Sequence, residues 1–150
     1  MKIDPQIKKL LPSMIEHRRS LHKIPELCYQ EIKTTAYLHN ALKEIGLPFK
    51  TAGTGIVVNI VGTNAKKTIG FRADMDALSI EEKTECEYAS QHKGRMHACG
   101  HDGHMAMLLG FAQYLKDHPP KDNVVLVFQP AEEGGLGAAK MIQSGLVQGI

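Results

Sequence analysis

The chain has 150 residues, 43% of them apolar and 23% charged, the composition of an ordinary globular unit long enough to bury a core. Its 18 basic and 16 acidic side chains give a formal charge of +2, too balanced for a nucleic-acid-binding protein, and the lysines are scattered rather than clustered. No apolar stretch is long enough to span a bilayer and the charged N-terminus (Lys2, Asp4, Lys8, Lys9) lacks a signal-peptide core, so neither nucleic acid nor membrane is an expected partner and a cytoplasmic location is expected.

From Gln6 to about Lys23, Ile7, Leu10, Leu11, Met14, Ile15 and Leu21 recur at helical spacing, and Pro25 ends the helix. A second helix is predicted over Glu31 to Ile45, with Ile32, Leu38, Leu42 and Ile45 on one side and Gly46 as its stop. The texture then becomes β-branched. Ile56 to Val61 reads as a strand, Gly62-Thr63-Asn64-Ala65 as a turn and Thr68 to Arg72 as the next strand, together a hairpin. Asp102 to Leu115 is predicted helical, with Met105, Leu108, Leu109, Ala112 and Leu115 on one face and Pro119-Pro120 closing it. Val124 to Phe128 is a continuous apolar run bounded by turn signals, which fits a strand buried on both faces. A last helix is predicted from about Gly137 to Ser144. The order α, α, β, β, α, β, α implies an α/β fold with a mixed sheet flanked by helices. In such sheets ligands bind beyond the carboxyl ends of the strands.

Three segments could carry chemistry there. His97-Ala98-Cys99-Gly100-His101-Asp102-Gly103-His104 places three histidines and a cysteine within eight residues. Cys and His are the usual donors to zinc and related ions. The Cys-x-His spacing is expected to put both donors on one side of an extended loop, with Gly100 and Gly103 letting the backbone turn beside an ion. The plainer alternative is a polar helix entry with Asp102 as cap. Glu132-Glu133, bracketed by Pro130 and Gly134-Gly135, sets two carboxylates side by side. A divalent cation would relieve their repulsion, one binding it and the other holding a water; the alternative is an exposed acidic turn. Asp74 and Asp76 fall on one side of an extended segment. Such residues bind metal, orient a ligating imidazole, or simply cap a turn.

Cys28, Cys86 and Cys99 are an odd set without framework spacing, which argues against a disulfide scaffold. Cys28 and Cys86 have no donor partner at metal-ligand spacing and read as buried thiols. His17, His22, His39, His92 and His118 read as surface or packing residues.

Gly70 to Leu78, His97 to His104 and Phe128 to Gly135, in that order, resemble the signature of the hippurate hydrolase and indole-acetyl-amino-acid hydrolase family, part of the aminoacylase and carboxypeptidase group of metallopeptidases. Arg18 to Leu27 resembles that family's opening, so the likeness covers nearly the whole chain. It implies that Cys99, His101 and Glu133 bind metal, that Glu132 is the general base and that Asp76 orients a ligand. Asp74 stands where sister branches have a ligating histidine and is left out of the ligand set, and no ligand role carries over to His104. The resemblance further implies two divalent ions (zinc, manganese, cobalt or nickel) per complete site. It implies a small-molecule N-acyl amino acid as substrate, whose amide is hydrolysed by a metal-activated water, and homo-oligomeric full-length relatives. Family members are much longer. They have a separate dimerisation domain and two further metal-binding histidines, so residues 1–150 are expected to be the N-terminal portion of the catalytic metallohydrolase domain, inactive in isolation. The rival expectations are a thiol hydrolase using Cys99 as nucleophile, and a truncated remnant or non-catalytic metal-binding or interaction module.

Overall fold

A computed structural model describes residues 3–148 and 150. Eight elements follow in order: α1 (Pro5–His22), α2 (Ile32–Ile45), β1 (Phe49–Ala52), β2 (Gly55–Ile60), β3 (Thr68–Asp74), α3 (His101–Asp117), β4 (Asn123–Gln129) and α4 (Gly137–Gln143). The strands form one mixed sheet in the order β1-β2-β4-β3. No helix among the described residues is long and apolar enough to cross a membrane.

The predicted hairpin between β2 and β3 does not form. β4 lies between them, antiparallel to β2 and parallel to β3. The hairpin is instead β1 with β2, turning at Gly53-Thr54, where Gly53 has φ 61°. β1 was not anticipated, because Phe49-Lys50-Thr51-Ala52 shows almost no apolar alternation and is half-exposed or exposed throughout. β4 wins the central place because Val124 to Phe128 is apolar on both faces, so burial on both sides is its most favourable position.

The faces of the sheet separate cleanly. Ile56, Val58, Leu126 and Phe128 pack with Leu38 and Leu42 of α2 and Met105, Leu109 and Ala112 of α3. Val57, Val125 and Val127 point the other way, toward Met141 of α4. This is the period-two alternation of a strand, with each face covered by helix. The predicted inner faces of α2 and α3 hold, except that Ile32 is exposed. Gly46 ends α2 in the left-handed conformation, φ 79°.

α1 departs from expectation. Ile7, Leu11 and Ile15 are exposed, and of its predicted stripe only Leu21 is buried. The helix lies on α3, where Gly110 has no side chain: a Cβ there would come within 2.6 Å of the Met14 sulfur. Contact is therefore made along the Met14 side, and the neighbouring ridge is left outward.

Residues 75–100, between β3 and α3, contain no helix or strand, only the bridge between Leu78 and Met96. This long connection runs from Asp76 to Cys99.

Candidate functional site

Two strands running the same way deliver their ends to one place. β3 ends at Asp74 and β4 at Gln129, and the ladder continues one step further as Met75 N–H donates to Gln129 O at 2.9 Å. Asp76 and the Glu132-Glu133 pair therefore emerge side by side. α3 begins opposite them at His101. Gly100, with φ 81°, turns the chain into the helix, so Cys99 and His101 are joined by a sharp bend and not by the extended loop expected from their spacing.

Asp76 organises the meeting. Its side chain is fully buried. Oδ1 accepts the Glu132 N–H at 3.0 Å, and Oδ2 accepts the Glu133 N–H at 2.9 Å. Its backbone oxygen accepts His101 Nδ1–H at 2.8 Å. That last bond fixes the imidazole tautomer and leaves Nε2 with its lone pair. One residue thus aims both the glutamate loop and the histidine.

One donor atom each from Cys99, His101 and Glu133 lies within 4.8 Å of the other two. Glu133 Oε1 is buried without a hydrogen-bond partner among the described residues, an oxygen that a cation would satisfy. The Glu133 carboxylate, as hydrogen-bond acceptor and as a charge, raises the Cys99 thiol pKa above its ordinary value. A cation would oppose that effect by taking the place of the proton. Sulfur, imidazole nitrogen and carboxylate oxygen at this separation fit a divalent metal. Glu132 is exposed beside the cluster.

Asp74 stays outside the three-donor cluster. It pairs with Arg72 Nη2 at 3.2 Å, and burial raises its pKa ahead of the opposing pull of Arg72. His104 is exposed, its ring centroid 5.7 Å from that of His101. Asp74 and His104 line an open cleft of about 470 Å³, with Arg72, Phe71, Met107, Leu108 and Phe111 completing its wall. His97 turns toward His22, 6.5 Å between ring centroids. Both its ring nitrogens are buried without partners among the described residues, and burial lowers its pKa to about 4, so it is neutral.

Two positioning residues escaped the sequence. Glu31, read there only as a helix start, is fully buried, and its Oε1 accepts the Ala131 N–H at 2.9 Å. It pins Ala131 in the left-handed region, φ 51°, an uncommon conformation that brings the following two glutamates round to Asp76. Cys28, read as a bland thiol, donates to Asp76 Oδ2 at 3.1 Å and lies 3.3 Å from Glu133 O. Burial, first, and the Asp76 carboxylate push its pKa up to about 11, so it stays a donor. Replacing Cys28 by alanine should weaken metal binding about tenfold, as expected for a group that orients ligands, and serine should restore it. Cobalt titration of the purified chain measures this; equal affinity in wild type and Cys28→Ala would show that the thiol orients nothing.

His22 and Cys86 also differ from their reading. His22 is buried among Asp102, Glu82 and Cys86 and is no isolated packing histidine.

Residues 70–150 match the model of peptidase family M20/M25/M40. The chain is 52% identical over 137 residues to an N-acetyldiaminopimelate deacetylase of Priestia megaterium, covering 89% of this chain and 36% of that protein. It is 49% identical over 138 residues to an N-acetyldiaminopimelate deacetylase of Listeria monocytogenes, covering 90% of this chain and 37% of that protein. Among solved structures, a dinuclear metal-binding peptidase of the M20 family from Bacillus subtilis superposes with TM-score 0.90 at 38% identity, covering 95% of this chain and 42% of that one. The chain therefore spans little more than a third of the length of the curated relatives it matches.

Proposed function

The chain belongs to peptidase family M20/M25/M40, and from that membership we propose that the complete enzyme containing it is a metal-dependent amidohydrolase of N-acyl amino acids, with acetyl as its acyl group. These 150 residues are the N-terminal portion of its catalytic domain, and the full-length enzyme is a homo-oligomer. The observation that carries the reading is the convergence of Cys99, His101 and Glu133 on one point, with Glu132 free beside them. The preference for acetyl rests on the relatives, both named as deacetylases of an N-acetylated diamino acid.

Cys99, His101 and Glu133 would hold a divalent ion, as part of a site for two. When bound, such an ion supplies Lewis acidity, polarising the scissile carbonyl and acidifying water. Glu132 takes the proton of the attacking water and passes it to the departing amine, because that amine leaves well only when protonated. Asp76 holds the backbone amides of both glutamates, so the loop that carries base and ligand is fixed in place. The cleft lined by Phe71, Met107 and Phe111, with the Arg72–Asp74 ion pair at its wall, offers apolar surface for the aliphatic chain of a substrate.

The test is acyl release by a full-length enzyme carrying this segment, supplied with N-acetyldiaminopimelate and with N-benzoyl amino acids. Acetate release that a chelator stops is expected, with the benzoyl substrates slower. Cys99→Ala and His101→Ala should each lower metal affinity more than about 100-fold, since a lost donor costs more than a lost orienting group. Turnover that resists the chelator yet vanishes in Cys99→Ala would replace this reading with a thiol hydrolase.

A further inference from the structure

The segment 75–100 must be held in place by something other than regular structure, because it carries Asp76 at one end and Cys99 at the other. Connections of more than about 15 residues without elements of their own are uncommon in compact domains and are usually functional loops or linkers. Its backbone ties to the rest of the chain are few: Met75 N–H to Gln129 O, Ala77 N–H to Glu26 O and Gln91 N–H to Lys23 O, with the Leu78–Met96 bridge closing the segment on itself. Midway along it, Glu82 and Cys86 face His22 at the end of α1. His22 Nε2 lies 3.1 Å from Glu82 Oε1, and the Cys86 sulfur lies 3.9 Å from the same oxygen. One donor atom from each of the three lies within 4.8 Å of the others.

The surroundings are those of a ligand set. The other ring nitrogen of His22, Nδ1, is 2.8 Å from Asp102 Oδ2, and Arg18 Nε reaches the same oxygen at 3.3 Å. A histidine that binds metal almost always gives its second nitrogen to a carboxylate or carbonyl in this way. Glu82 is held likewise, with Oε2 accepting the Ser90 N–H at 2.6 Å. Oε1 faces the cluster, where it also accepts a hydrogen bond from Thr84 Oγ1. Cys86 makes only a long contact to Glu82 Oε1 and has Thr84 Oγ1 at 3.4 Å. No residue is shared with the cluster at Cys99.

We propose that His22, Glu82 and Cys86 form a second, structural metal site, selective for zinc or a similarly soft divalent ion, that staples the 75–100 segment to the end of α1. A thiolate, an imidazole and one carboxylate are the donor types zinc takes. Binding displaces the Cys86 thiol proton and any proton on His22 Nε2, and both leave to solvent. The site does not depend on the hydrolytic reading.

The experiment uses the metal-free 150-residue chain. Zinc should slow alkylation of Cys86, mapped by peptide mass in the wild-type protein, by tenfold or more. Cobalt should give a thiolate-to-metal absorption band that survives in Cys99→Ser and is lost when Cys86→Ser is added. Proteolysis between residues 79 and 95 should slow with zinc in wild type and Cys99→Ser and stay unchanged in Glu82→Gln. Unchanged alkylation of Cys86 at saturating zinc overturns the proposal, and needs no variant that could misfold. A cobalt band in Cys99→Ser that persists after Cys86→Ser would assign it to Cys28 and also overturn it.

Discussion

Replacing Glu132 by glutamine in a full-length enzyme carrying this segment should abolish turnover and leave metal content near wild type. The amide keeps the shape of the side chain and one hydrogen bond to water but cannot accept a proton. Loss of a general base costs about a hundredfold to ten-thousandfold. Here the same carboxylate also returns the proton to the amine, so the loss belongs at the upper end. The neighbouring change acts differently. Glu133 contributes an oxygen to the Cys99–His101 cluster, and its Oε1 has no other partner among the described residues. A neutral amide is a poorer ligand, so Glu133→Gln should lose metal together with activity. Metal stoichiometry and turnover number, measured side by side, decide the matter. Metal lost in Glu132→Gln and kept in Glu133→Gln would mean that the two roles are reversed.

Asp76→Ala should be the most destabilising single change at the site. It leaves the Glu132 and Glu133 amides without their acceptor and the Cys28 thiol with only Glu133 O at 3.3 Å. Each orphaned donor costs about 1–3 kcal/mol, and bonds to a charged group lie at the upper end, so about 3–5 kcal/mol in all is expected. That is a large part of the stability of a typical domain, about 5–15 kcal/mol. The bond from His101 goes to the Asp76 backbone and survives the substitution, so the histidine should stay oriented while the glutamate loop is released. Urea unfolding of the purified chain measures the loss, and a change below about 1 kcal/mol would show that the clasp does not hold the loop. Asp76→Asn, which keeps one accepting oxygen, should fall between wild type and alanine.

Elements set by local pattern were legible. Val124 to Phe128 announces a strand buried on both faces, Gly46 a left-handed helix stop, and Met105 to Leu115 the inner face of α3. The edge strand β1 was not, since Lys50 and Thr51 face solvent and leave no apolar alternation. In the site, the clustering of His97, Cys99, His101 and His104 is a feature of adjacent residues and marks the right segment. It does not say which side chains meet. Cys99 and His101 reach Glu133, whereas His97 turns toward His22 and His104 toward the cleft.

What the sequence by itself determined is therefore whatever depends on neighbours along the chain: helical and strand periodicity, the glycine stops, and the three motifs that mark a metallohydrolase. The tertiary structure alone decided the pairing of β4 between β2 and β3, the clasp at Asp76 and the company of His22. Those contacts join residues far apart in sequence, 48 positions for Cys28 with Asp76, 57 for Glu133 with Asp76 and 80 for His22 with Asp102. No local spacing encodes such distances. They are fixed when the apolar faces of the sheet and helices are buried together, and the polar groups carried along must then find partners where that packing leaves them.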